Sequence, residues 1–475
     1  MKPASQWPRT PACLFRSLSF LLAGFLLFSG ISSAAPFITL SKTSGPPTTR
    51  ILVSGRGFEP NVGVDIYFDT RDEALVVTDG KGEFENVKAF APRSARPGEH
   101  WVTALQLNND KGAQKPFLVQ TNWSQFHFDA DGTRLNPYEN VLNHKNIANL
   151  DFKWGYDTGT PVPSSPTVVN GIAYVGSLEH NVYALDAHTG VLRWKSPATE
   201  CHWGFAFRSS PAVANGRVYV GDCNGRVYAL NADSGVTLWI YTTGAAVFSS
   251  PTVANGEVYI GSADNNMYAL DAKTGAVLWS HSIGGVTSSP AVANGTVYVG
   301  SLDHNVYALD ARTGAKLWSY ATGDQVNSSP TIADSVVYVG SDDDNLYALN
   351  ARTGAKLWSY ATGGAVFSTP AVKGTVYFGS QDGNIYALDT HTGAKLWSFT
   401  TGDLVFSSPA VANGVVYVGS DDDNIYALDT RTGGLLWSYQ TGDSVHSSPA
   451  AVNGAVYVGS NDGHLYAFTL KHGLK

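Results

Sequence analysis

The chain has 475 residues, among them 12 Trp, 23 Tyr and 49 Gly, and a formal net charge of −8. This length suits one large or two medium domains, and the composition is typical of a turn-rich β protein with aromatic packing. The mild acidity and the absence of basic clusters argue against a nucleic-acid partner.

Residues 1–34 predict a secretory signal peptide. Three basic residues precede the apolar run 18–28, and small residues at 32–34 offer a cleavage site. The alternative is an uncleaved membrane anchor, although the run is short for a full span. Cys13 lies before the apolar core, whereas a lipoprotein places its cysteine after it. We expect an extracytoplasmic protein, secreted or periplasmic, that does not span a membrane after cleavage.

Residues 36–119 predict a small β-sandwich. Apolar and polar residues alternate along 62–68 and 101–107, and Gly, Pro and Asp-Gly turns separate such runs. The stretch SGRGFEPNVGVDIYFD at 54–69 resembles the opening of bacterial immunoglobulin-like modules. That resemblance implies a spacer or adhesion module.

Residues 120–149 form a linker between this segment and the rest of the chain. Asp129 and Asp131 lie in its sequence DADG. Two interpretations stay open, because carboxylates at this spacing serve either as Ca²⁺ ligands or as turn residues.

Residues 150–470 consist of repeats, of which VYVGSDDDNLYALNARTGAKLWSYATG at 337–363 is one copy. A Tyr-Ala-Leu or Tyr-Ala-Phe triplet recurs eight times, 39 or 40 residues apart except for one gap of 45. Each copy has four strand-forming runs between Asn-Gly, Asp-rich and Thr-Gly turns, without helical periodicity. The middle runs are apolar on both faces, so their sheet is covered on both sides. The period predicts an all-β protein, an eight-bladed β-propeller preceded by the small sandwich.

The ends of the repeats indicate how the ring closes. The last repeat ends without a Trp-containing strand, and a strand-like segment with Trp154, at 152–158, precedes the first repeat. We expect this segment to complete the last blade, because it would cover an otherwise exposed sheet edge.

An eleven-residue run recurs at seven junctions between repeats, for example ALDAKTGAVLW at 269–279. It has Asp or Asn third, Gly seventh and Trp eleventh, and it resembles the tryptophan-docking motif of the pyrroloquinoline-quinone (PQQ) propeller superfamily. The resemblance covers roughly residues 120–470, including the lead-in, and implies an eight-bladed propeller. It implies a structural docking role for Trp154, Trp194, Trp239, Trp279, Trp318, Trp358, Trp397 and Trp437.

One face of the predicted propeller carries the candidate binding site. The chain reverses at each turn, so the loops after the Trp strands and the hairpins before the Tyr-Ala-Leu strands share a face, which we call the top face. The residue before each Ser-Ser or Ser-Thr pair stands there at the mouth of the central channel and varies against a constant frame. There are two alternatives to binding: the residues vary because loop sequences drift, or their side chains only plug the mouth of the channel. The predicted binding residues are Trp203, Arg208, Phe248, Asn327, Phe367, Phe406 and His446.

The second repeat carries an insertion between Trp194 and Pro211 that contains Cys201 and His202. Cys223 lies in the top hairpin of the same repeat, and we predict a disulfide between Cys201 and Cys223, as suits an oxidising compartment. A metal site of these two cysteines and His202 is the alternative. It lacks the fourth ligand and the paired spacing of zinc sites, so we predict no metal.

Two acidic hairpins, 342–345 and 421–424, also lie on the predicted top face. Their oxygen ligands suit Ca²⁺, but other repeats make the same turn with Gly or Asn, which favours a solvated turn.

The resemblance implies two function classes. One is a non-catalytic scaffold that presents its top face to a protein or an envelope polymer, like the propeller subunit of the outer-membrane barrel-assembly machinery. The other is a PQQ- and Ca-dependent quinoprotein oxidoreductase acting on an alcohol, sugar or polymer, with an Asp base, a stacking Trp and often a vicinal disulfide.

This chain has no adjacent cysteines, no CxxCH haem motif and no Trp at the mouth positions. We therefore expect the scaffold, without catalytic residues or cofactor. The quinoprotein remains as the alternative, and a hydrolase or lectin is a third class. Fold alone does not choose among them.

Overall fold

The structure is a computed structural model that describes residues 35–109, 111–179, 181–197 and 209–471. In this part of the chain the secondary structure is β apart from one 3₁₀ turn, Ile147–Asn149. None of the helical structure found there has the length and apolar character needed to cross a bilayer.

Two sheets precede the repeats and share one hydrophobic core. Alternation of apolar and polar residues explains this arrangement, because successive side chains of a strand point to opposite faces, as Ile51 and Val53 do toward the core. One sheet has the order β1-β3-β6 and the other the order β2-β8-β7-β4-β5. The strands are Phe37–Leu40 (β1), Ser44–Gly45 (β2), Arg50–Arg56 (β3), Gly63–Phe68 (β4), Arg71–Val77 (β5), Phe84–Phe90 (β6), Gly98–Gln106 (β7) and Gly112–Val119 (β8).

Eight antiparallel sheets contain the repeats, and we number them 1 to 8 in chain order. Two strands precede them, Leu135–Asn136 (β9) and Leu150–Asp157 (β10). Sheets 1 to 4 consist of Thr167–Val169 (β11), Ile172–Gly176 (β12), Asn181–Asp186 (β13) and Leu192–Pro197 (β14); Ala212–Ala214 (β15), Arg217–Gly221 (β16), Arg226–Asn231 (β17) and Thr237–Thr242 (β18); Thr252–Ala254 (β19), Glu257–Gly261 (β20), Asn266–Asp271 (β21) and Val277–Ser282 (β22); and Ala291–Ala293 (β23), Thr296–Gly300 (β24), Asn305–Asp310 (β25) and Lys316–Ala321 (β26).

Sheets 5 to 8 follow the same plan, but sheet 8 takes its outer strand from the start of the repeat region. They consist of Thr331–Ala333 (β27), Val336–Gly340 (β28), Asn345–Asn350 (β29) and Lys356–Ala361 (β30); Ala371–Val372 (β31), Thr375–Gly379 (β32), Asn384–Asp389 (β33) and Lys395–Thr400 (β34); Ala410–Ala412 (β35), Val415–Gly419 (β36), Asn424–Asp429 (β37) and Leu435–Gln440 (β38); and Ala450–Val452 (β39), Ala455–Gly459 (β40) and His464–Leu470 (β41) with β10 beside β41. Strand β9 adds to sheet 7 as a short parallel neighbour of β35.

The sheets form a closed ring. The first strand of each sheet contacts the first strand of the next, and β39 of sheet 8 contacts β11 of sheet 1. Hydrogen bonds from a main-chain N–H to a serine hydroxyl of the next sheet occur at seven of the eight junctions, and the N–H of Ser448 donates such a bond to Ser165 across the closure, at 2.9 Å. On the outside, β10 pairs with β41, in the place predicted for 152–158.

Neighbouring sheets pack face to face because the middle strands are buried on both sides. In sheets 4 and 5, Tyr298, Val306, Val337 and Tyr347 belong to one hydrophobic cluster. The two-sided apolar runs of the sequence therefore reflect burial between two neighbouring sheets.

Tryptophans connect each sheet to the turn of the next. The indole of Trp279 donates a hydrogen bond to the main-chain oxygen of Ala311, at 2.8 Å. Gly314, at φ +71°, lies against this indole so closely that an added Cβ would stand 2.6 Å from a ring carbon. The same bond is made by all eight tryptophans of the predicted motif, from Trp154, Trp194, Trp239, Trp279, Trp318, Trp358, Trp397 and Trp437 to residues Ala187, Ala232, Ala272, Ala311, Ala351, Thr390, Thr430 and Leu150.

Candidate functional site

The residues before the serine pairs occupy equivalent, half-buried positions around the ring. The following serine is fully buried, as Ser249 is after Phe248, and its hydroxyl accepts a hydrogen bond from the main-chain N–H of Gly261 in the same sheet. The equivalent bond fixes the backbone in six of the sheets, and the preceding side chain is the part that varies. In sheets 5 and 6 the serine differs, because Ser328 donates to the main-chain oxygen of Ser368, whose own hydroxyl has no partner among the described residues. We call this set the mouth: Pro163, Phe248, Thr287, Asn327, Phe367, Phe406 and His446.

Three mouth residues on sheets 6 to 8 form an aromatic row. The ring centres of Phe367 and Phe406 are 5.5 Å apart, and those of Phe406 and His446 are 5.1 Å apart. Nε2 of His446 lies 3.0 Å from a carboxylate oxygen of Asp421, in the acidic hairpin of sheet 7. The row therefore combines an apolar surface with a polar end.

The mouth is polar on sheets 4 and 5. Thr287 Oγ1 donates a 2.6 Å hydrogen bond to Asn327 Oδ1, and Asn327 Nδ2 donates one of 2.8 Å to Asp342 Oδ2. Burial, together with the nearby carboxylates of Asp324 and Asp343, raises the pKa of Asp342 to about 6, although the hydrogen bond from Asn327 acts to lower it.

The remaining predicted site residues divide into two groups. Phe248 does not join the aromatic row and packs against the hydrophobic cluster of sheets 1 and 2. Trp203, Arg208 and Cys201 lie outside the described residues, as does His202. Cys223 is disulfide-bonded. Its pairing with Cys201 stays a prediction.

The acidic hairpins use their central carboxylates to hold their own turns. Asp343 Oδ2 accepts hydrogen bonds from Tyr347 Oη at 2.7 Å and from the Gly323 N–H at 2.6 Å. Asp422 is bonded in the same way to Tyr426. This pattern corresponds to the turn interpretation of both hairpins.

Residues 121–136, which we call the plug, run inside the ring and reach all eight sheets. Each contact uses the same position, the second residue of the innermost strand. The main-chain N–H groups of Val168, Val213, Val253, Val292, Ile332, Val372 and Val411 donate to oxygens of Trp123, Ser124, Gln125, Ala130, Asp131, Thr133 and Arg134, while Asn136 donates to the main-chain oxygen of Ala451. The free inner edges of the sheets thereby obtain the partners that buried backbone groups require.

Arg134 lies near the end of the plug and is fully buried. Its guanidinium donates to the main-chain oxygens of Pro409 at 2.8 Å, Pro449 at 3.2 Å, and Phe126. It also stands 4.8 Å from the ring centre of Phe126. Burial lowers the pKa of Arg134 to about 9, so the side chain remains charged at neutral pH.

His127 is buried beside Arg134, and its Nε2 has no partner among the described residues. Burial, and then the charge of Arg134, lowers the pKa of His127 to about 3, so the ring is neutral at pH 7. Asp129 accepts hydrogen bonds from the N–H of Thr133 at 2.9 Å and from its hydroxyl, and so closes a turn. The sequence prediction missed the plug, although an arginine in the aromatic-rich run WSQFHFDADGTR was a visible signal.

The resemblance implies a PQQ and Ca²⁺ site with carboxylate and amide ligands, which can be compared with the described residues. Among them, no group of three or more His, Cys, Asp or Glu side chains could hold a metal ion. Asp342 Oδ2 is bonded to Asn327 and Asp421 Oδ1 lies 3.0 Å from Nε2 of His446, while Asp342 Oδ1 is buried without a hydrogen-bond partner among the described residues. The plug bonds to the inner strands of the ring, and we derive no chemical step through these cofactors.

Comparisons with family models match most of the repeat region. The model described as outer membrane protein assembly factor BamB matches residues 179–285, 275–403 and 381–475, which together exceed half of the chain. The model described as glucose/ethanol/alcohol dehydrogenase, beta-propeller domain, matches residues 123–204. No curated protein matches the chain in sequence.

Solved structures with the same fold include both enzymes and an assembly factor. A europium-containing methanol dehydrogenase is 16% identical, with a TM-score of 0.66 over 74% of this chain and 98% of that one. A quinohemoprotein alcohol dehydrogenase from Comamonas testosteroni is 18% identical, with a TM-score of 0.65 over 75% and 81% of the two chains. BamB from Moraxella catarrhalis is 18% identical, with a TM-score of 0.60 over 67% and 99%. At these identities the likeness establishes a PQQ-like β-propeller fold and nothing further.

Proposed function

Because the chain belongs to the PQQ-like β-propeller family described as outer membrane protein assembly factor BamB, we propose that it is a non-catalytic binding protein that holds a protein or envelope polymer on its top face. The observation that carries this proposal is the aromatic row of Phe367, Phe406 and His446 at the mouth. Half-buried aromatic side chains grouped at one place are typical anchors of protein interfaces.

The plug supports a surface site rather than an internal one. Its hydrogen bonds to every sheet occupy the inner edges of the ring, and the buried guanidinium of Arg134 bonds to main-chain oxygens beside sheets 7 and 8. A ligand of the top face would therefore rest on the mouth residues. The predicted anchors Trp203 and Arg208 belong to this same proposal.

We propose the finer architecture from the topology. Eight sheets joined in a ring by first-strand contacts support an eight-bladed propeller over 150–470. Two sheets around one core support an immunoglobulin-like sandwich over 36–119. Residues 1–34 would act as a signal peptide, which places the mature protein outside the cytoplasm, either secreted or periplasmic.

A quinoprotein oxidoreductase is the second candidate, favoured by the similarity to dehydrogenases in both fold and family model. It would need PQQ and Ca²⁺, and among the described residues no group of three or more His, Cys, Asp or Glu side chains could hold a metal ion. We prefer the scaffold because the family model described as BamB matches more of the chain than the dehydrogenase model.

The test is a double substitution, Phe367→Ala with Phe406→Ala, compared with Leu396→Ala on an exposed outer strand. Affinity capture from an envelope extract should lose its bound protein with the double variant and retain it with the control, while melting temperatures stay close to wild type. Retained capture with a large loss of stability would assign the aromatic row to packing. Dye reduction by purified protein with PQQ, Ca²⁺ and a panel of alcohols and sugars would instead favour the enzyme.

A further inference from the structure

A cleft of about 820 Å³ lies between the two N-terminal sheets, formed by β1 to β8, and sheets 1 and 8 of the ring. It is on the side of the ring opposite the top face. One wall is the loop 96–100 that leads into β7, with the end of β8. The opposite wall is formed by Lys153 of β10, the turn at Ala187 and His188, and the end of β41 at Lys471. This size is typical of sites that bind small organic molecules.

The cleft is basic in an acidic protein. Arg96, Lys153 and Lys471 line it, and none of the three has an ion-pair partner within the described part of the chain. Glu99 is the acidic residue of the lining. The chain as a whole carries a net charge of −8, so three unpaired cations in one cleft depart from the general surface.

Lys153 is the cation held most firmly in the cleft. Its Nζ lies 2.9 Å from Nδ1 of His188, where the ring nitrogen can accept a hydrogen bond from the ammonium group. Burial lowers the pKa of Lys153, which means that its charge is incompletely solvated, although the carboxylate of Asp186 acts in the opposite direction. A negative ligand group beside it would restore that lost stabilisation.

The floor of the cleft is apolar. Leu118, Val141, Val168 and Leu470 line it, and Leu118 exposes 41% of its surface. Apolar surface of this kind is stabilised when a ligand removes it from water.

We propose that this cleft binds an organic anion with an apolar body, its negative group against Lys153 and Arg96 and its apolar part against Leu118 and Leu470. The charge of the lining selects the anion, and the apolar floor selects a molecule larger than a simple inorganic ion. This site lies on the side opposite the mouth and is independent of the top-face proposal.

The probe is dodecanoate, titrated below its micelle-forming concentration into the full chain by isothermal titration calorimetry. We expect saturable one-to-one binding that weakens about tenfold in the double variant Arg96→Gln with Lys153→Gln, because each charged hydrogen bond contributes to affinity. Lys356→Gln, on an exposed outer strand, makes the same type of charge change and should leave binding within about twofold of wild type. Lys471→Gln tests the third cation separately.

Acetate and dodecyltrimethylammonium test the two parts of the proposal. Both should bind much more weakly than dodecanoate, the first because it lacks the apolar body and the second because its charge is reversed. Equal binding of either compound, equal weakening by Lys356→Gln, or no saturable binding of dodecanoate would overturn the proposal. Melting temperatures of the variants distinguish lost affinity from lost folding.

Discussion

Trp437 donates a hydrogen bond from its indole nitrogen to the main-chain oxygen of Leu150, 3.0 Å away and 287 residues earlier in the chain. The other seven docking tryptophans bond to a turn of the next repeat. Only this one bonds to the start of a strand, β10, which comes from the other end of the repeat region and completes sheet 8. The ring is therefore closed by two sequence-distant elements.

Deletion of 150–157 tests this closure. The outer edge of β41 would lose its partner and Trp437 its acceptor, so we expect self-association through the bare edge. Size-exclusion chromatography with light scattering measures this self-association as an increase in molar mass. Trp437→Phe is the milder control, since it removes the donor but keeps β10, and it should remain monomeric. A monomeric deletion variant with unchanged melting behaviour would contradict the role of β10.

Gly314→Ala and Gly295→Ala form a matched pair that isolates tryptophan docking. Both glycines have positive φ, +71° and +75°, so an alanine is strained at either position. Only at Gly314 does the added methyl also meet the indole of Trp279, while nothing lies within 4 Å at Gly295. We expect a loss of about 1 kcal/mol in the free energy of unfolding at Gly295 and about 3 kcal/mol at Gly314. Equal losses in urea denaturation would show that the indole contact contributes little.

The docking contacts were predictable because their determinants are local and repeated. Asp or Asn, Gly and Trp recur at fixed spacing, and each serves the same turn in the structure. Ring closure was predictable for a related reason, since the last repeat visibly lacks the Trp strand that 152–158 could supply.

The plug was not predictable, because its contacts carry almost no side-chain signature. Seven of the eight sheets offer it a main-chain N–H, which any residue but proline provides. Apolar residues of the plug recur neither every two residues, as in a strand, nor every 3.6 residues, as in a helix, so these patterns do not detect it. The contacts among the mouth residues were equally unpredictable. Phe248 and Phe406 hold the same position in their repeats, but only Phe406 joins the aromatic row.

His127 should make stability depend on pH. Its pKa is about 3 in the folded protein against 6.5 for an ordinary histidine, so between these values the unfolded chain binds the extra proton. The contribution of His127 to the free energy of unfolding is therefore fully present above pH 6.5. It is lost as the pH falls from 6.5 toward 3, and the loss is about 3 kcal/mol at pH 4.5.

His127→Gln should flatten that part of the stability curve, measured by urea denaturation from pH 7 to pH 4. Asp129 and Glu139 have raised pKa values, because of burial, and act in the opposite direction. Both are present in wild type and variant, so the difference isolates His127. His391→Gln, on an exposed turn, is the control, and a curve as flat as that of His127→Gln would contradict the assignment.

The predicted pairing of Cys201 with Cys223 can be tested by a double-mutant cycle. If the two are bonded to each other, Cys201→Ser, Cys223→Ser and the double variant should each lose the same amount, roughly 3 kcal/mol for a loop of this length. Thiol labelling of the unreduced wild-type protein should modify neither residue. Additive losses from the two single substitutions, or labelling of both thiols, would contradict the pairing.

The plug also fixes the number of repeats. Units as similar as these could in principle be gained or lost one at a time, because each contacts only its neighbours. The segment 121–136 removes this freedom, since it carries one contact for each of eight sheets in a fixed order. A seven-unit ring would leave one of its polar groups without a partner, and a nine-unit ring would leave one inner edge bare. It also precedes every repeat in the chain, so during synthesis it emerges before each of the sheets that it contacts.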